Sequence, residues 1–105
     1  MPAQRRIIPF HQAYTPNEFE IISAGLIPVE MEDRWFVYYE SPWLYMHRSW
    51  TGFCIYKVRL EARGDEIVAT QAIVNRDPAQ YSETSDIRDV DFLGGLLGRL
   101  IQGLA

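Results

Sequence analysis

Cysteine is nearly missing from this chain: Cys54 is the single thiol among 105 residues, so no internal disulfide can form. Together with the lack of a secretory signal pattern, this sets the expectation of a cytoplasmic protein. Histidine is as scarce. One thiol and two separated imidazoles, His11 and His47, do not make the ligand set of a structural zinc site. The Asp and Glu residues are dispersed without metal-ligand spacing, and no motif calls for a cofactor. Long apolar runs are missing too, since none approaches the roughly 20 residues that cross a bilayer, and no membrane association is expected. Positive charge is not in excess: ten Lys and Arg stand against 14 Asp and Glu, for a formal charge of −4. Neither half of the chain is a basic arm, which argues against duplex nucleic acid, where binding rests on phosphate neutralisation. There is no Gly-x-Ser-x-Gly elbow, and Thr51-Gly52 lacks the glycine-rich context and lysine of a phosphate-binding loop.

What is present is apolar residues, 48% of the chain, and a dense aromatic stretch. Length predicts one domain over residues 1–105. Residues 33–52 hold all three tryptophans, three of the six tyrosines and the polar run His47-Arg48-Ser49. Residues 1–14 read as a leader or short edge strand. Thr15, Pro16 and Glu18 then spell a helix start, with hydroxyl and carboxylate positioned to satisfy opposing backbone N–H groups. Gly25 is suited to end that helix, or to allow a tight approach within a longer one. Four runs rich in aromatic and β-branched residues follow, 34–40, 43–49, 53–61 and 66–74, separated by turn formers. Their connections are too short for crossover helices, so an antiparallel four-stranded meander is expected. Arg63-Gly64-Asp65 reads as a hairpin turn. Ser85 opens a second helix whose early carboxylates, Asp86, Asp89 and Asp91, favour its N-terminal dipole. The fold class is therefore α+β, with an N-terminal helix, a four-stranded antiparallel sheet and a C-terminal helix.

Alternation assigns the sheet faces. Trp35, Val37 and Tyr39 oppose Phe36, Tyr38 and Glu40. Leu44, Met46, Arg48 and Trp50 oppose Trp43, Tyr45, His47 and Ser49. Cys54, Tyr56, Val58 and Leu60 oppose Phe53, Ile55, Lys57, Arg59 and Glu61. One face is expected to hold the helices and the other to be partly covered or used for recognition. At least two of the three indoles are expected in the core.

The candidate ligand-binding set is Arg34, His47, Arg48, Trp50, Asn75 and Arg76. Arg34 and Arg48 offer planar donor forks to a phosphate or carboxylate and are expected near Trp50, where an indole would orient a guanidinium. The competing expectation for Arg34 is an ion pair with Glu32 or Asp33. Asn75-Arg76-Asp77-Pro78 leaves a strand end as a loop. No complete nucleophilic set is present, so no catalytic residue is assigned. Val90, Leu93, Leu97, Leu100 and Ile101, widened by Leu96 and Leu104, form an apolar stripe, of which Leu93, Leu96, Leu97, Leu100 and Ile101 suit a homodimer interface. Gly94, Gly95 and Gly98 within it suggest close helix packing, or a break near Gly94.

The segments DRWFVYY and WLYMHRSWTGFCIY, with VNRDPAQYSET beyond, resemble a small, poorly characterised bacterial domain family. The resemblance implies a stand-alone accessory or partner-recognition domain. The leading expectation is thus a noncatalytic module whose partner is a protein or an anionic small molecule. The alternatives are a small enzyme acting on a phosphorylated or carboxylated metabolite, through His47 and the arginines, and a structural self-association domain.

Overall fold

The computed structural model describes residues 1–28 and 34–103. Asp33 of the aromatic run and Leu104 of the C-terminal stripe lie outside the described residues, as does any pairing of Arg34 with Glu32 or Asp33. The elements in chain order are β1 (Arg5–Ile8), β2 (Gln12–Tyr14), α1 (Pro16–Ala24), β3 (Trp35–Glu40), β4 (Trp43–Arg48), β5 (Cys54–Arg63), β6 (Glu66–Asn75) and α2 (Asp86–Ile101).

The architecture is α+β, and the sheet is antiparallel with six strands rather than four. The expected meander is present as β3-β4-β5-β6. The segment read as leader or edge strand adds the rest: β1 pairs with Ala72–Asn75 and β2 with Ile67–Ala69, both along the free edge of β6. Pro9, which has no N–H to give a ladder, sits between them, and Phe10 beside it turns into the core. One interrupted edge strand results.

Both helices cover one face of the sheet. Trp35, Val37, Leu44, Met46, Tyr56, Val58, Leu60, Ala72 and Val74 form a continuous core with Ile22 of α1 and Leu93, Leu96, Leu97 and Leu100 of α2. The opposite, outer face of the sheet carries the alternate residues.

Those four α2 leucines are therefore buried within a single chain, and Ile101 packs against the same core. The stripe is explained by the chain's own sheet. A homodimer interface built on Leu93, Leu96, Leu97, Leu100 and Ile101 is corrected on that ground.

Helix α1 starts as its sequence dictates. Thr15 Oγ1 accepts from the Glu18 N–H at 3.1 Å, while Glu18 Oε1 accepts from the Thr15 N–H at 2.9 Å. It stops at Gly25, and Leu26 leaves the helix to form a bridge with Val37 of β3.

Helix α2 runs unbroken through its three glycines. A Cβ at Gly94 would touch the Phe10 ring at 3.8 Å, whereas Gly95 and Gly98 face open space. Close packing thus accounts for Gly94 alone. Replacing Gly95 with alanine is expected to stabilise the protein by about 0.5–1 kcal/mol, because glycine carries excess backbone entropy in a helix. A urea midpoint shifted upward at constant slope is the check.

Candidate functional site

The outer face bears an aromatic ladder on β3 and β4. Antiparallel register sets Phe36 opposite His47, Tyr38 opposite Tyr45 and Glu40 opposite Trp43. Tyr38 and Tyr45 stack with ring centroids 4.9 Å apart, and Tyr38 stacks on the His47 imidazole at 5.5 Å. Phe36 closes on Tyr38 at 5.7 Å. Strand β5 then brings Lys57 opposite Tyr45 and Arg59 opposite Trp43. Lys57 Nζ lies 4.6 Å from the Trp43 ring centre and 5.3 Å from that of Tyr45, with the Arg59 guanidinium 5.8 Å from Trp43. Arg59 and Arg63 both bond to Glu61, whereas Lys57 has no carboxylate partner among the described residues. Phe36 and Tyr38 remain 41% and 37% exposed. Rings and cations converge here on one open surface.

The six candidate ligand-binding residues do not share this surface. His47 is on it, held by a 2.9 Å contact from Nδ1 to the Gly52 carbonyl. A carbonyl can only accept, so Nδ1 carries a hydrogen, and Nε2 is buried without a partner among the described residues. Arg48, one residue on, points to the helix side, where its guanidinium lies 4.5 Å from the centre of the Trp35 ring. The expected stacking of a guanidinium on an indole occurs, but on Trp35 rather than Trp50. Arg34 is exposed beside this strand end, with its carbonyl accepting from the Ser49 N–H at 2.9 Å. Alternation turns it away from the face of Trp35 and Arg48. Trp50 projects from the turn that follows β4 and is largely exposed. Of the three indoles, Trp35 alone is buried in the core, and Trp43 is half-buried on the outer face. Alternation separates consecutive residues, so a polar run along one strand cannot act as one site.

Asn75 and Arg76 have internal duties. Buried Asn75 donates from Nδ2 to the Cys54 carbonyl and to Gln80 Oε1, both at 2.9 Å, and its Oδ1 accepts from the Asp77 N–H. It organises the loop after β6. Arg76 donates to Asp86 Oδ1 at 2.9 Å, to the Glu83 carbonyl at 3.1 Å and to Asp89 Oδ2. Asp89 is fully buried, and its other oxygen accepts from the Tyr56 and Tyr81 hydroxyls at 2.8 and 2.7 Å. Burial pushes the Tyr81 hydroxyl up to about 12 and raises that of Tyr56 further, so both phenols remain donors at neutral pH. Asp89 is more than the dipole partner that its place in the first turn of α2 suggested.

Lys57, Arg59, Trp43, Tyr45, Phe36 and Tyr38 were outside the candidate set. Period-two alternation had put Trp43 and Tyr45 on the face of His47 and had grouped Phe36 with Tyr38 and Lys57 with Arg59, and the cross-strand register brings the three sets onto one face. Asp89, Tyr56 and Tyr81 carry no such signal, because they come from three separate segments. Among the described residues no three His, Cys, Asp or Glu side chains gather as metal ligands would, and no helix is long and apolar enough to cross a membrane.

No protein-family model matches this chain, and neither a curated protein nor a solved structure is detectably similar to it.

Proposed function

We propose that this chain is a noncatalytic recognition module whose outer sheet face docks a partner protein, through a segment bearing apolar side chains and a carboxylate. The observation that carries this reading is the ring ladder of β3 and β4 with Lys57 and Arg59 laid over its end. Half-exposed aromatic rings supply apolar area at little entropic cost and are enriched among residues that dominate interfaces. Lys57, which pairs with no carboxylate among the described residues, supplies the charge complement. A chain of net charge −4 is poorly matched to a polyphosphate backbone. The enzyme alternative drew Arg34, His47 and Arg48 around one substrate, with Asn75-Arg76 as a further contribution. His47 and Arg48 lie on opposite faces, and the Arg76 donors are engaged by Asp86, Asp89 and Glu83.

The test is selection from a displayed peptide library, followed by affinity measurement on purified protein. Enriched segments are expected to combine apolar side chains with Asp or Glu. Tyr38→Ala and Lys57→Gln should each weaken them roughly tenfold, equivalent to ~1.4 kcal/mol, without loss of fold. Affinities unmoved by either substitution would overturn the reading. So would tighter binding of single-stranded oligonucleotides than of any selected peptide.

A further inference from the structure

A second feature, on the helix side of the sheet, is independent of the docking reading. Arg48 ends β4, and its backbone is fixed from both directions: its N–H donates to Phe53 at 3.0 Å and its carbonyl accepts from Gly52 at 2.8 Å. The guanidinium is laid on the Trp35 indole, which is itself braced by Tyr56 and Phe92 with ring centroids 6.1 and 6.0 Å away. Contact with one ring face leaves most of the five guanidinium N–H donors for other partners. No carboxylate or carbonyl accepts from them among the described residues. Half-buried charges ordinarily find such a partner. Arg48 lines a cleft of about 280 Å³ together with Tyr81, Glu83, Arg88, Asp89 and Phe92.

We infer that this cleft binds a small monocarboxylate with an apolar, preferably aromatic, body, its carboxylate seated on the in-plane N–H groups of Arg48. The charge of the walls selects the class. Arg48 and Arg88 face Glu83 and Asp89, so the cleft is balanced overall. Asp89 is already matched by Arg76. Glu83 is held ionised by the Ser85 and Thr84 N–H groups, which keep its carboxyl below the usual range. Arg88 lies 3.9 Å from Glu83 on an exposed side chain and screens it only partly, so that carboxylate repels a dianionic phosphate about twice as strongly as a monoanion on the same fork. Phe92, 39% exposed at the rim, supplies the apolar wall. The volume lies at the small end of ligand cavities, which suits a body of about one ring.

The experiment is titration of the whole chain with sodium benzoate, acetate and inorganic phosphate at matched ionic strength, followed by amide chemical shifts. Benzoate is expected to saturate with a dissociation constant of about 1 mM or tighter, shifting residues around Arg48, Tyr81 and Phe92. Acetate and phosphate should bind at least tenfold more weakly. Arg48→Lys retains the charge but removes the planar fork, and should weaken benzoate at least tenfold. Phe92→Ala should do the same should the Arg48 variant fail to fold, while Tyr38→Ala on the outer face should leave the titration unchanged. Linear, unsaturated shifts would overturn the inference, as would equal affinity for phosphate or unchanged benzoate affinity in folded Arg48→Lys.

Discussion

Asp89→Ala is expected to destabilise the protein by about 3 kcal/mol, the lower end of the range for breaking a buried ion pair by removing one partner. The carboxylate is fully buried and accepts from three side chains, while the Arg76 side chain is 14% exposed. Its loss leaves the buried guanidinium with Asp86 and the Glu83 carbonyl, which is why the cost falls at the low end. Two phenols also lose their shared acceptor, although Tyr56 and Tyr81 keep a 2.8 Å contact with each other. For a chain of this length, whose total stability is on the order of 5–15 kcal/mol, that is a large fraction. Urea unfolding with an unchanged slope and a lowered midpoint is the measurement. A midpoint within error of the parent would show that the network contributes nothing net.

Asp86 sets the contrast. It bonds to Arg76 and Arg6 from a partly exposed position, so screening weakens it and Asp86→Asn should cost much less than Asp89→Ala. The hydrogen bond from Arg76, followed by that from Arg6, holds its carboxyl below the usual range. A carboxyl lowered in the folded state contributes stability above its unfolded value and loses it as pH falls through the folded value. Parent and Asp86→Asn should therefore differ at neutral pH and converge in acid.

The residues themselves show why some of this was legible and some was not. Thr15, Pro16 and Glu18 announce a helix start because the capping bonds are local, closing within three residues. The hairpin at Gly64 is equally local, since its φ of 61° suits glycine at the first central turn position. Faces were readable wherever strands stayed in phase. At β5 they did not: His47 pairs with Cys54 but Met46 with Tyr56, so Ile55 is an extra residue. That bulge moves Cys54 from the side of Tyr56, where alternation placed it, to the side of His47. A second bulge at Thr70 offsets β6 against β5. The stripe of Leu93 to Leu100 declared that something covers it, but periodicity does not distinguish the chain's own sheet from a second copy. Asp89 is the hardest case, because Tyr56, Arg76 and Tyr81 meet it only after β5, β6 and the following loop are in place.

Gly25→Ala is the other substitution with a large expected cost, about 3 kcal/mol, and it tests how the β3 edge is held. Gly25 sits at φ 75° and ψ −166°, a region that residues with a Cβ rarely enter, at a strain of order 1–3 kcal/mol. A Cβ there would stand 2.3 Å from the Val37 carbonyl oxygen, which is backbone and has no rotamer to yield. Relief requires the end of α1 to lift from β3. That would break the paired Leu26–Val37 bonds of 2.8 and 2.9 Å, each contributing about 0.5–1.5 kcal/mol. Gly52 provides the internal comparison, having the same φ of 75° with nothing within 4 Å of an added Cβ. Gly52→Ala should therefore cost the backbone strain alone, about 1 kcal/mol, and leave hydrogen exchange at Leu26 and Val37 untouched. Gly25→Ala should accelerate exchange at both amides. Equal destabilisation by the two substitutions would mean that left-handed backbone geometry, and not the contact with Val37, is what glycine provides at the end of α1.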